Sequence, residues 1–233
     1  MTGLVGAGAV LAEPAIIVKS SADDYKVGSK IDDEDTITLA SGERVSVLTK
    51  RGSRTMRGPG TFVVGADPKS NRNRFANLKR RGAAKRSGTG GVRSAATAAV
   101  AALQSPKVFY ADVGRSGRLC LTNTQDVSLW RAFSDRPATY VVSGPDLDAP
   151  VTVSFEADVS VAPPEGATLA LMDGGTYTIT GGSAGPGPAM TIATVTIVDL
   201  GQDYPTADGL AQALFGNGCT AQFNVLSDRL FTD

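Results

Sequence analysis

The sequence predicts a mainly β protein, in which a small β meander or roll precedes a β-sandwich-like domain with a C-terminal helical hairpin. Three observations predict this class. Gly (27) and Pro (12) are plentiful in the 233 residues while aromatic residues make up only 6%, a balance typical of short strands and many turns. Apolar residues, at 42%, suffice for a buried core. Apolar and polar residues also alternate at period two through much of the chain, as half-buried strands require.

Residues 1–12 have the character of the apolar region of a secretory signal. The run from Thr2 to Ala12 is apolar and small, is too short to span a bilayer, and has no basic segment before it. Val10 and Ala12 place small residues at positions −3 and −1 of a cleavage site before Glu13. The glycines of the run disfavour the alternative, a buried first strand. We therefore expect residues 1–12 to be a signal-peptide remnant and the mature chain to be periplasmic or secreted, without a transmembrane segment.

Residues 15–65 predict a compact β unit. AIIVKS is a short apolar strand, and TITL and RVSVL carry apolar residues at every second position, namely Ile37, Leu39, Val45 and Val47. Ser41-Gly42 is the expected hairpin turn between these two strands. Gly52 and Ser53 mark the next turn, and Gly58-Pro59-Gly60 ends the predicted meander.

This order of strands and turns resembles the small β domain of FecR-like periplasmic proteins. The stretches that carry the resemblance are KVGSKI, TITLASGERVSVL and GSRTMRGPGTF. FecR-like domains have a glycine before an acidic turn, a strand, a glycine hairpin, a strand and a closing glycine-proline turn. FecR proteins also carry a cytoplasmic anti-sigma segment and a membrane helix before this domain, and neither occurs in these 233 residues. The resemblance implies a periplasmic interaction module and leaves iron signalling unsupported.

Residues 66–106 predict a basic, partly helical connector. Within them, residues 71–93 hold eight Lys or Arg and no acid. Residues 74–81 predict two turns of helix, and residues 94–104 have the alanine content for another helix. Gly82 and the following SGTGG cluster break any continuous helix between them.

The formal net charge of zero hides a segregation of charge along the chain. Residues 66–94 carry nine basic and one acidic side chain, whereas residues 95–233 carry six basic and fourteen acidic ones. Phe75 is the only aromatic residue of the basic run, which leaves no stacking ladder for nucleic-acid bases. We therefore expect the connector to dock on the acidic second domain, with no nucleic-acid partner. Its candidate partner contacts are Arg80, Arg81 and Arg86.

Residues 107–233 predict a β-sandwich that ends in two helices. Eight strand-like segments follow one another here: VFYADV, RLCLT, VSLWRAF, ATYVVSG, VTVSFEA, VSVAPP, TLALMDGGTYTIT and MTIATVTIV. A shift of the apolar phase at Ala193 predicts a β-bulge in the last segment. Beyond this segment, apolar residues recur at spacings of three and four residues, which predicts two short helices that meet at GNGC. Thr206 is the expected N-cap of the first helix.

The two cysteines, Cys120 and Cys219, are too far apart for a C-x-x-C redox or zinc pair. Export favours a structural disulfide between them over the alternative, two buried free thiols.

Trp130 also has two interpretations. We expect its indole to pack against the sandwich, and the alternative is an exposed side chain that contacts a ligand or partner.

Motifs for catalysis, cofactors and metals are lacking in the sequence. With no histidine, the Ser-His and Cys-His nucleophile pairs are excluded. RSGTGGVR lacks the Gly-Lys-Ser/Thr of a P-loop, and the acidic run at residues 32–35 lacks the alternation that directs several carboxylates at one calcium ion. We therefore predict no catalytic residue, no cofactor and no metal ligand.

These observations favour an exported non-enzymatic protein that acts in binding, assembly or sensing in the cell envelope, with another envelope protein or a glycan as its partner. Two alternatives stay open. One is an extracytoplasmic hydrolase of polysaccharide or peptide that uses carboxylates. Its candidates, which lie in no recognisable signature, are Asp146, Asp148, Glu156 and Asp158. The other, less favoured, alternative is nucleic-acid binding through the basic connector.

Overall fold

A computed structural model of the chain describes residues 14–80, 104–163, 169–181 and 191–231, which form two compact units. The first unit comprises the described residues up to Arg72 together with Thr206–Gln212. The second comprises Asn73–Pro205 and the chain from Ala213 onwards. The described residues are mainly β, and the last two helices form a hairpin, so the predicted fold class is confirmed.

The first unit holds six strands: β1 (Ala15–Ser20), β2 (Lys30–Ile31), β3 (Thr36–Leu39), β4 (Arg44–Thr49), β5 (Gly52–Arg57) and β6 (Gly60–Val63). The remaining strands are β7 (Ala111–Asp112), β8 (Gly117–Leu121), β9 (Leu129–Trp130), β10 (Ala138–Ser143), β11 (Val151–Phe155), β12 (Val161–Ala162), β13 (Thr176–Gly181) and β14 (Thr191–Asp199). The helices are α1 (Arg72–Lys79), α2 (Ala207–Gly216) and α3 (Thr220–Leu230). Every strand segment predicted from the sequence contains a strand. None of the described helices is long and apolar enough to cross a membrane.

Two antiparallel sheets pack against each other in the first unit. One has the strand order β2-β1-β4-β5, and the other pairs β3 with β6. The period-two apolar residues of both sheets meet in a single core, to which Ile17, Ile37, Leu39, Val45 and Val47 contribute. The alternation read from the sequence therefore identifies the buried face of each strand.

The turns of this unit differ from the expected ones. Ser41-Gly42 does not join a hairpin, because β3 pairs with β6 whereas β4 pairs with β1 and β5. The tight β4–β5 turn lies at residues 50–51, so Gly52 and Ser53 already belong to β5. The turn at Gly58, with its cis Gly58-Pro59 peptide, leads into β6 and does not end the meander.

These differences arise because the chain crosses from one sheet to the other at both the β3–β4 turn and the β5–β6 turn, which lie side by side. The Gly58 N–H donates to the Glu43 carbonyl oxygen at 2.9 Å. A Cβ atom on Gly58 would lie 1.9 Å from the carbonyl oxygen of Ala40, so only glycine permits this approach. The two turns therefore pack on each other, and each carries the chain from one sheet to the other.

The second unit contains a five-stranded and a three-stranded sheet. The first has the order β11-β10-β13-β14-β8 and is antiparallel except for the parallel pair of β14 and β8. The second has the order β12-β9-β7, with β7 and β9 parallel. The register between β13 and β14 shifts next to the pair of Ile179 and Ala193, so the predicted bulge is confirmed.

A disulfide and the hydrogen bonds of one glutamine side chain fix α3 against the edge strand β8. A disulfide joins Cys120 in β8 to Cys219, the residue before α3, with a Cα–Cα distance of 6.0 Å. Gln222 in the first turn of α3 is buried and accepts the Cys120 N–H at 2.7 Å through Oε1. Its Nε2 donates to the carbonyl oxygens of Cys120 and Val108, at 2.7 and 2.9 Å. Gln222 therefore satisfies backbone groups that a neighbouring strand would otherwise bind.

Candidate ligand-binding pocket

A cavity of about 90 Å³ lies within the second unit, beside the first two turns of α3. One side is formed by α3, through residues such as Ala221 and Asn224. The other side is formed by residues 104–119, which lead through β7 into β8. The position of α3, and with it the shape of the cavity, depends on the disulfide and on Gln222, because both bind the helix to β8.

Part of the cavity wall is apolar. Val108, Leu119, Val195 and Val225 line it, and each of these side chains is buried. Gln222 also lines the cavity, but its amide oxygen and both amide hydrogens are already used in the bonds to Cys120 and Val108. This part of the wall therefore presents hydrocarbon to anything that enters.

The rest of the wall carries three cations and one carboxylate. The cations are Lys107, Arg115 and Arg118, and the carboxylate is Asp112, which lies 3.7 Å from the Arg115 Nε. The Lys107 ammonium donates to the carbonyl oxygen of Asn77, and Arg118 Nη1 donates to that of Asn217 at 2.9 Å. Among the described residues, neither Lys107 nor Arg118 forms a salt bridge to a carboxylate. The wall is therefore positive overall.

The ionisable groups of the cavity reflect burial and this charge. Burial, and secondly the positive charge of Arg80, lower the pKa of Lys107. Burial raises the pKa of Asp112, against the opposing effects of the Gly114 N–H and of Arg115. An anion beside Lys107 would oppose this lowering, because a nearby negative charge favours the charged form of the ammonium group.

Several polar groups of the cavity hold the local backbone. The Ser105 hydroxyl donates to the carbonyl oxygen of Lys107 at 2.7 Å, and the Ser116 hydroxyl accepts the Thr194 N–H at 3.0 Å. Asp112 accepts the Gly114 N–H at 3.0 Å. The chemistry that the cavity offers is therefore attraction of an oxyanion by its cations and contact with an apolar group along its hydrocarbon wall.

The structure places the residues singled out from the sequence as follows. Cys120 and Cys219 are fully buried and joined by the expected disulfide. Trp130 is 3% exposed and packs with Tyr110 and Val161, so the expected packing holds and a contact of the indole with a partner does not fit its burial. Arg80 is exposed just after α1, which spans residues 72–79 and not 74–81 as predicted. Arg81, Arg86 and residues 1–13 lie outside the described residues.

Three of the acidic residues considered above, Asp146, Asp33 and Asp35, have local structural contacts. Both carboxylate oxygens of Asp146 accept the Tyr177 hydroxyl, at 2.5 and 2.6 Å. In the turn at residues 32–35, the Asp35 carboxylate accepts the Asp32 N–H at 3.2 Å, and Asp33 pairs with Arg51 at 3.5 Å. Within the described ranges there is no group of three or more Cys, Asp or Glu side chains that could hold a metal ion.

Sequence reasoning missed the residues that form the cavity: Lys107, Arg115, Arg118 and Gln222. A signal for the cations is present, since residues 107–118 contain three of the six basic residues of the acidic segment 95–233. No comparable signal marks Gln222, because its role depends on the position of α3 beside β8. Comparisons of the chain with protein-family models, with curated proteins and with solved structures find no match.

Proposed function

We propose that the protein is an exported, non-enzymatic binding protein that acts in binding, assembly or sensing in the cell envelope. Its partner in this role is another envelope protein or a glycan. Residues 15–65 would act as a FecR-like periplasmic interaction module, and the second unit would carry a pocket for a ligand. The proposal places the mature chain in the periplasm or outside the cell.

The observation that carries the proposal is the buried disulfide between Cys120 and Cys219. Structural disulfides form and persist in oxidising compartments, whereas the glutathione and thioredoxin systems keep cytosolic thiols reduced. The disulfide does not itself line the cavity, but it fixes α3, which forms one side of the cavity, on β8. Formation of the disulfide is thus linked to the shape of the pocket, and this link supports a binding role in an oxidising compartment.

Cell fractionation followed by N-terminal sequencing tests the proposal. We expect the protein in the periplasm or medium, cut after Ala12, with no free thiol when it is unfolded without reductant. An Ala12→Phe variant should not be cut at this position, because a signal cleavage site needs a small residue there. The matched change Leu11→Phe leaves positions −3 and −1 intact and should be cut as before. Uncut protein in the cytosol with two free thiols would refute export.

A further inference from the structure

The cavity beside α3 has a charged part and an apolar part, which together define a class of ligand. Its cations, Lys107, Arg115 and Arg118, outnumber its one carboxylate, Asp112. Its apolar part is formed by buried valine and leucine side chains. We propose that the cavity binds a small organic oxyanion, a carboxylate or phosphate group on a short apolar body. The proposal rests on the binding role proposed above and names the ligand of that pocket.

The charged part has hydrogen-bond donors to spare for an anion. An ammonium group has three donors and a guanidinium has five. Each of Lys107 and Arg118 gives one bond to a backbone carbonyl oxygen, of Asn77 and Asn217 respectively. These carbonyl groups carry no net charge, and no carboxylate of the described residues forms a salt bridge to either cation. An oxyanion would add charge-assisted bonds, which are about twice as strong as bonds between neutral groups.

The volume of the cavity limits the size of the ligand. A cavity needs a volume on the order of 10–15 Å³ to hold one water molecule. The cavity of about 90 Å³ therefore contains roughly six to nine such volumes. A ligand with a similar number of non-hydrogen atoms fits, whereas a nucleotide or a glycan chain is too large to enter. A short alkyl or aryl group would contact Val108, Leu119, Val195 and Val225.

Calorimetric titration of the oxidised full chain with a matched set of small molecules tests the proposal. Hexanoate and butyl phosphate carry the two kinds of head group, hexanamide is the neutral counterpart of hexanoate, and hexylammonium is the cationic one. We expect a dissociation constant on the order of 0.1–1 mM for at least one of the two anions. Hexanamide should bind at least about tenfold more weakly, and hexylammonium should not bind. The better of the two anions identifies the head group.

Variants of the cavity locate the binding. Arg118→Gln and Lys107→Gln should each weaken anion binding about tenfold, as expected when one charge-assisted contact is lost. Ala221→Leu should weaken it by filling the cavity. Arg136→Gln is the matched control, because Arg136 belongs to the same unit, does not line the cavity and has an 88% exposed side chain. Thermal unfolding of each variant verifies that it folds. Because Arg118 is exposed, Arg118→Gln should fold and test the proposal even if Lys107→Gln does not fold.

Four results would overturn the proposal. One is binding of hexanamide as tight as that of the better of the two anions, which would show that charge plays no part. Another is anion binding that neither Arg118→Gln nor Ala221→Leu changes. The third is the lack of saturable binding of either anion. The fourth is binding of inorganic phosphate as tight as that of butyl phosphate, which would show that the apolar part of the cavity plays no part. Each of these results leaves export and the disulfide intact, so failure of the ligand proposal is distinguishable from failure of the proposed function.

Discussion

Arg131, which directly follows β9, is a buried cation whose guanidinium group donates to backbone carbonyl oxygens. It is 3% exposed, and its group stacks over the Phe155 ring at 4.9 Å. The acceptors and distances are Val159 (2.9 Å), Arg136 (2.6 Å), Glu156 (2.7 Å) and Ser134 (3.4 Å). Arg131 thus joins the loop after β9 to the loop between β11 and β12, since one planar group reaches acceptors in both.

We expect Arg131→Met to lower the free energy of unfolding by about 3 kcal/mol, because four carbonyl groups lose the charged donor that joins their two loops. Urea unfolding measures this change. Arg136→Met is the matched control, since it removes the same charge and adds the same side chain at an 88% exposed position. It should change the free energy of unfolding by no more than about 0.5 kcal/mol. Equal effects of the two substitutions would contradict a structural role for the buried guanidinium.

The Tyr177 hydroxyl group is a second buried contact that depends on ionisation. It donates to the Asp146 carboxylate and accepts the Met172 N–H at 2.8 Å. Burial, and secondly the hydrogen bond to Asp146, raise the pKa of Tyr177 from 10.0 to about 12. Because the pKa of Tyr177 is higher in the folded chain than in the unfolded chain, the protonated hydroxyl group makes its full contribution to the free energy of unfolding below pH 10. This contribution is lost as the pH rises from about 10 to about 12.

The pKa of Tyr177 predicts a difference between the wild-type chain and Tyr177→Phe in alkaline solution. The stability advantage of the wild type should shrink by about 2–3 kcal/mol between pH 10 and pH 12. Tyrosinate absorbance should show one phenol that titrates near pH 12 in the wild type and is absent from Tyr177→Phe. Asp146→Asn should move this titration to lower pH, because it removes the carboxylate that accepts the proton. An unchanged titration in both variants would contradict the assignment.

Among the secondary structure elements, the strands were predictable from the sequence but several of their partners were not. Period-two alternation reports which face of a strand is buried, and it located Ile37 and Val45 in the core correctly. Alternation is the same whichever strand lies alongside, so the pairing of β3 with β6 left no local signal. The deciding contact, between the Gly58 and Glu43 backbones, joins residues that are distant in the sequence.

The packing of α3 on β8 predicts the effect of changing one amide. Gln222→Glu keeps an acceptor for the Cys120 N–H but replaces the donors to Cys120 and Val108 with a buried carboxylate. We expect it to lower the free energy of unfolding by about 2–3 kcal/mol at neutral pH, and by less in acid, where the carboxyl group can donate. Asn224→Asp is the matched change from amide to acid at an exposed position of the same helix.

Denaturant unfolding and amide hydrogen exchange of α3 measure this difference between the two substitutions. Asn224→Asp should change the free energy of unfolding by no more than about 0.5 kcal/mol. A loss in Asn224→Asp as large as in Gln222→Glu would show that added negative charge on α3, and not the Gln222 bonds, is responsible.

At the level of the fold, the disulfide was predictable and the cavity was not. Cys120 and Cys219 are the only cysteines, so one pairing exists, and predicted export favoured it. The cavity instead combines residues 107–118 with α3, about a hundred positions later, and it is visible only when both are in place. Its cations also lie in a segment with an excess of acidic residues, where composition indicates no anion site. Composition averages over a segment, whereas a pocket depends on which side chains meet.

The disulfide predicts an order of events when the protein is reduced. It closes a loop between residues 99 positions apart, so its loss should lower the free energy of unfolding by up to about 4.7 kcal/mol on the loop-closure model. Because the bond fixes the start of α3, amide hydrogen exchange should show α3 losing protection before β10 and β13 do. Binding of the better of the two anions, hexanoate or butyl phosphate, should weaken in parallel, since α3 forms one side of the cavity. The double variant Cys120→Ser with Cys219→Ser is the control, because the same reductant should leave it unchanged. If the reductant alters both proteins equally, or if β10 opens before α3, the disulfide does not hold the helix and the link between oxidation and the pocket is wrong.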